Sequence, residues 1–156
     1  MKIKGFNPVF DKNSKILILG SFPSVISRHN EFYYGNPRNR FWNMINKIFN
    51  VELLTTNQKI EFLLKHNIAI WDIVCECEIE GSMDKDIKNP IYANLISILP
   101  PQTKINKIIC NGKLSYNLTM EYCKNNNIDI PIVYLQSTSP ANPRFNISDW
   151  EKELKK

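Results

Sequence analysis

Glycine is scarce in this chain, with five in 156 residues. Neither GxxxxGK[ST] nor GxGxxG occurs, so the glycine-rich cradle that nucleotide-phosphate enzymes wrap around their ligand is missing. The four cysteines, Cys75, Cys77, Cys110 and Cys123, form no CxxC pair, and neither histidine stands at zinc spacing from them. A zinc ribbon and an iron–sulfur cluster are therefore not indicated, and the chain is expected to need neither metal nor cofactor. No apolar run approaches the ~20 residues that cross a bilayer, and the opening MKIKGFNPVF lacks the apolar stretch of a signal peptide. A cytoplasmic protein with reduced thiols and no membrane partner is the expectation. Arginine is also scarce. Of 20 basic residues only Arg28, Arg38, Arg40 and Arg144 are arginine, and they fall in two short regions.

Hydrophobic residues make up 43% of the chain, with three Trp and eight Phe, enough for one core and one domain over 1–156. The net charge of +5 and a pI near 9.0 lean toward an anionic partner. A chain that otherwise uses Lys has reason to use Arg where a planar fork must grip phosphate or carboxylate, although so small a count also clusters by chance.

Strand and helix patterns alternate along the sequence. KILILG (15–20), AIWDIV (69–74), KIIC (107–110) and PIVYL (131–135) are short apolar runs of the kind that fill a buried parallel sheet. Between them, 39–49 places Phe41, Met44, Ile45, Ile48 and Phe49 on one helical face. Helices are also expected over 57–66, over 92–99 until the prolines, from 113 to about 124, and in a capped segment over 148–156. Residues 75–90 read as a loop. The whole predicts an α/β fold, a three-layer αβα sandwich around a four-stranded, mostly parallel sheet. Ligands of such sheets bind beyond the carboxyl ends of the strands, which directs attention to GSFPS, the 75–90 loop, NGK and QSTSPANPRF.

The densest chemistry lies in YYGNPRNRFW (33–42), which combines aromatic faces, cationic forks and an amide. GSFPS (20–24), YYGNPRNRFW, IWDIV with GSMD (81–84), NG (111–112) and STSPAN (137–142), in this order after successive strands, resemble the uracil-DNA glycosylase superfamily. Its hypoxanthine-DNA glycosylase branch is the most similar. The resemblance covers roughly residues 15–146 and implies an enzyme that extrudes a deaminated base from DNA and hydrolyses its glycosidic bond. Hypoxanthine is the implied substrate, with uracil the main competitor. A module that binds damaged DNA without cutting it is the rival from another class, but it would need no amide to position water.

Site residues follow from the same resemblance. Phe22 stands where related enzymes carry a water-positioning Asn, and a phenyl ring cannot do that work. Asn39 is the candidate catalytic residue, orienting water through its carbonyl oxygen, although Asn is also a favoured helix cap. Tyr34 is placed to stack on the flipped base, or else is a half-buried tyrosine at a strand edge. The backbone of Ser21 and Phe22 is expected to face the base edge. Phe41 and Trp42 read as core. Arg38 and Arg40 are expected on phosphates, or else as solvated surface charges. In the last motif, Ser137 and Ser139 are possible phosphate donors, and Asn142, Pro143 and Arg144 form the expected wedge and clamp. Asp72 and Asp84 are candidate acceptors for a base edge or a loop, or else structural caps of turns, which Asp forms readily. Ser24 replaces the Gly usual in the family and is expected to limit how closely the DNA backbone approaches. No lysine in these motifs stands as a Schiff-base nucleophile, so strand cleavage is not expected. The chain is expected to act as a monomer on DNA.

Overall fold

A computed structural model describes residues 2–155, with the side chain of Asp84 outside that description. The elements run β1 (Ile3–Lys4), β2 (Ile16–Gly20), α1 (Val25–His29), α2 (Phe41–Phe49), α3 (Thr56–Lys65), β3 (Ile68–Asp72), β4 (Val74–Glu78), β5 (Lys88–Tyr92), β6 (Lys107–Asn111), α4 (Lys113–Asn125), β7 (Ile132–Leu135) and α5 (Ile147–Leu154). Strands β3-β2-β6-β7 form one parallel sheet in that spatial order. Helices flank it, with α3 against β3 and α4 against β6 and β7. This is the expected αβα sandwich.

The sheet is apolar on both faces because both are covered. Leu17, Ile18, Leu19, Ala69, Ile70, Ile108 and Ile109 are buried. Helix α2 turns Phe41, Met44, Ile45 and Ile48 into the same core, as its spacing predicts. A capping box at Thr55 and Gln58 starts α3, and Asn146 accepts from the Ser148 N–H to start α5.

Three indoles tie loops to this core. Trp42 Nε1 donates to the Tyr33 carbonyl at 2.7 Å, Trp71 Nε1 to Phe6 at 3.2 Å and Trp150 Nε1 to Gln136 at 3.0 Å. Each ring is buried, so its single donor must find a partner, and the partner becomes a fixed point of an otherwise irregular segment.

Two expectations are corrected. Residues 75–90 are not simply a loop: they contain most of β4 and the start of β5, which join β1 in a small antiparallel sheet of order β1-β4-β5. Register shifts interrupt the β4–β5 pairing and β5 is exposed throughout, so neither strand carries a clear apolar period. The helix expected over 92–99 is a short 3-10 turn at Leu95–Ile98, because the Ala93 N–H donates to the Ile73 carbonyl and keeps the chain extended there. No helix among the described residues is long and apolar enough to cross a membrane.

Candidate active site

Parallel register brings four strand ends to one edge. Gly20 lies beside Asp72, and Asn111 beside Leu135, with Leu19 opposite Cys110 between them. Above this edge opens a cavity of about 520 Å3. Its lining includes Ser21, Phe22, Tyr34, Asn39, Asp72 and Asn111, together with the 137–142 segment and the Ser82–Met83 corner. Pockets of this size hold small organic groups such as a nucleobase.

At the floor, Gly20 is held to hydrogen by its neighbours. A Cβ there would stand 2.4 Å from Asp72 Oδ1 and 2.9 Å from the Tyr34 hydroxyl. Tyr34 itself has φ of +53°, unusual for a bulky residue, and its ring stacks on Phe41 with centroids 4.3 Å apart. Its hydroxyl is buried without a well-formed hydrogen bond. Burial, and then the neighbouring Asp72, push the phenol far above its ordinary range, while the Asn111 amide works the other way. The phenol therefore stays neutral. Phe22 is buried and walls the cavity, with the Arg28 guanidinium 5.7 Å from its ring centre. The Gly20 and Ser21 carbonyls accept from the Ile73 and Val74 N–H groups, which fixes how these peptides face the site.

Asn39 lies just before α2. Its Oδ1 accepts from the Phe41 N–H at 2.9 Å, and its own N–H donates to the Asn36 carbonyl at 2.9 Å. The cap position of α2 is filled by Arg40 without a side-chain cap bond, so Asn39 closes an Asx turn one residue earlier instead of capping the helix, and its carbonyl oxygen keeps a second lone pair. Asn36 supports the turn by accepting from the Arg38 N–H at 3.0 Å, and its own N–H reaches Ser27 Oγ.

The 137–142 segment is a folded loop with internal bonds. Ser137 Oγ accepts from the Ser139 N–H, Ser139 Oγ from the Ala141 N–H, and Asn142 Nδ2 donates to the Ser137 carbonyl and Gln136 Oε1. Thr138 is anchored from below by a reciprocal pair: its N–H donates to Asn111 Oδ1 and its Oγ1 accepts from Asn111 Nδ2, both at 3.0 Å. Gly112, with φ of +102°, passes so close beneath that a Cβ would meet Ser137 Cβ at 3.2 Å. Both serine hydroxyls still carry a proton to donate. Pro143 and Arg144 are exposed beyond the loop.

The arginines divide. Arg38 and Arg144 are exposed. Arg40, expected on phosphate, turns inward: its Nη2 donates to the carbonyls of Ser139 and Asn142, and its guanidinium lies 4.6 Å from the Phe145 ring centre. Arg28 likewise donates to the Gly81 carbonyl at 2.9 Å. Ser24 caps α1 by accepting from the Ser27 N–H. Asp84, named as a possible acceptor, lies outside the described side chains. The sequence pattern did not single out Asn36, Thr138 or Ser82 as part of the site, and the role of Asn111 was not assigned. Asn111 was marked by its place at a strand end and in the NG motif, but nothing near it announces its partner, which lies 27 residues on. Among the described residues, no three His, Cys, Asp or Glu side chains converge as metal ligands would.

A family model of the uracil DNA glycosylase superfamily matches residues 8–154. A hypoxanthine DNA glycosylase of Methanosarcina barkeri is 38% identical over 120 residues, 74% of either chain. One of Methanosarcina acetivorans is 31% identical over 155 residues, 95% of either chain. The solution NMR structure of a candidate uracil DNA glycosylase from Methanosarcina acetivorans superposes with a TM-score of 0.83 at 31% identity, covering 100% of both chains. With nearly its whole length matched in sequence and in fold, this chain belongs to the uracil DNA glycosylase superfamily.

Proposed function

We propose that this DNA glycosylase releases hypoxanthine from DNA, hydrolysing the glycosidic bond of a flipped deoxyinosine with water held by Asn39. One observation carries the reading: a stacking ring, a water-orienting amide and a buried carboxylate, Tyr34, Asn39 and Asp72, line a single cavity at the sheet edge. The hypoxanthine DNA glycosylases among its relatives support the choice of base.

Each role follows from chemistry. Phe41 stacks on one face of Tyr34, and the ring also lines the cavity, where it is suited to stack on a base brought in. Asp72, at the floor beside Gly20, is suited to accept from the N1–H of hypoxanthine. Adenine has no hydrogen on N1, so a site built around that acceptor rejects it. The free lone pair of Asn39 Oδ1 orients water toward the anomeric carbon as the bond to the base breaks. An amide cannot take up a full proton at neutral pH, so its contribution is alignment.

At the mouth, Asn142 and Pro143 fill the gap left in the stack, and the Ser137 and Ser139 hydroxyls, Arg38 and Arg144 meet phosphates. In this reading the enzyme acts on DNA as a monomer in the cytoplasm. Uracil is the second reading, since its N3–H presents the same donor to Asp72. The test is base release from identical oligonucleotides carrying inosine, uracil or xanthine. Fastest release from inosine is expected, while uracil preference would replace the substrate and binding without release would replace the activity.

A further inference from the structure

We propose that Arg40 is a positioning residue, an internal strut that sets the geometry of Asn39 by locking the start of α2 to the 137–142 loop. The inference rests on the reading of Asn39 as the residue that holds water. Arg40 lies between Asn39 and Phe41, so the bond from the Phe41 N–H to Asn39 Oδ1 closes a ring around its peptide. Main chain and side chain of Arg40 grip the same loop. Its N–H donates to the Thr138 carbonyl at 3.0 Å, its Nε to the same oxygen at 3.5 Å, and its Nη2 to the Ser139 carbonyl at 2.6 Å and to the Asn142 carbonyl.

Phe145 completes the seat from the ring side. A phosphate-binding arginine keeps its fork open to solvent, whereas this one aims the fork at backbone carbonyls and a ring. The loop that the strut grips is the one that faces DNA in the proposed scheme. Loop position and Asn39 position are then mechanically one variable: pulling the loop outward pulls on the peptide that carries Asn39. Proper engagement of the duplex would be felt at the water without any contact between the two.

Lysine separates this role from a phosphate contact. A lone ammonium still meets a phosphate, but it cannot reproduce a planar fork reaching several carbonyls and stacking on a ring. Single-turnover release from saturating inosine DNA is expected to fall about 10-fold or more in both Arg40→Lys and Arg40→Ala, the scale of a small misplacement of reacting groups. The salt slope of binding to undamaged duplex should stay at the wild-type value, since no phosphate contact is lost. Millimolar guanidinium should restore part of the rate to Arg40→Ala. In an Asn39→Ala background, Arg40→Lys should cost little more, because the group it positions is gone.

Phe145→Leu, which keeps every charge, should lower the rate by a few-fold without changing the slope, and it serves if Arg40→Ala does not fold. A salt slope reduced by about one unit together with near-normal release by Arg40→Lys would make Arg40 a phosphate contact and overturn the proposal. An undiminished effect of Arg40→Lys in the Asn39→Ala background, with Asn39→Ala itself nearly inactive, overturns the strut alone. Near-normal release by Asn39→Ala overturns the water-holding reading and with it the strut's target.

Discussion

The cavity has two rims, and they are held very differently. The 137–142 rim is bound from below by the Asn111–Thr138 pair, from the side by Arg40, and within itself by the Ser137, Ser139 and Asn142 side chains. The opposite rim, around Gly81 to Asp86, hangs from α1 through the Arg28 bond to the Gly81 carbonyl and the Val25 N–H bond to Ser82 Oγ. Helix α1 has only five residues and leaves Val25 and Ile26 exposed. Local opening is governed by buried contacts and protected bonds, so the first rim opens only at substantial cost and the second gives way readily. Among the described residues, one wall of the site is held at more points than the other.

The sharpest way to break this comparison is to remove the group that the fixed wall carries. Asn39→Ala is expected to slow base release at least ~100-fold, the scale of one lost preorganised polar group, with DNA binding retained. A variant with near-normal turnover on inosine DNA would leave Asn39 only its turn-forming role ahead of α2.

Next in size is the anchor. Asn111→Ala leaves the buried N–H and hydroxyl of Thr138 without partners and should destabilise the fold by about 1–3 kcal/mol, read as a lower melting midpoint in denaturant, with release slowed as well. Arg28→Ala on the yielding rim should cost about 1 kcal/mol or less on the same measurement. Equal losses would mean that the rims are equally held.

Tyr34 tests the floor between them. Tyr34→Ala should weaken engagement of the flipped nucleotide by ~1–3 kcal/mol, measured as affinity for DNA carrying an uncleavable inosine analogue. Tyr34→Phe should keep most activity and at least the wild-type stability, since it removes a buried hydroxyl that lacks a good partner. A phenylalanine variant as impaired as the alanine one would assign the work to the hydroxyl.

The smallest effects are expected outside both rims. Arg38→Ala and Arg144→Ala should each weaken binding to damaged and undamaged duplex alike and reduce the salt slope by about one unit, without changing the preferred base. Titrating both duplexes across a salt series measures this. Lost discrimination at an unchanged slope would mean that the arginine reads the lesion.

What the sequence made legible depends on how local the signal was. The strands of the parallel sheet and helices α2, α3 and α4 were each written in a continuous apolar run or a helical stripe, and they lie within a residue or two of the expected bounds. The small sheet was illegible because KNPIY is an exposed edge strand and VCECE, the central strand, is only partly buried, with a pairing that slips register. At the site, residue type was legible and direction was not. Four arginines in two regions indicated a task for guanidinium groups, but whether a fork points at phosphate or at a carbonyl about 100 residues away depends on tertiary packing. Asn111 is a similar case, since nothing near it in the chain announces Thr138.

The three tethering indoles have an optical consequence. Trp42 is bonded to Tyr33 beside the stacking ring, and Trp150 to Gln136 at the root of the fixed rim, while Trp71 holds Phe6 near the small sheet. All three are shielded from water, so free protein should emit toward the blue. Any step that shifts the segments they hold alters the polarity around an emitter already built into the chain. Stopped-flow emission, with each indole replaced by phenylalanine in turn, would then time loop movement against base release without an attached dye.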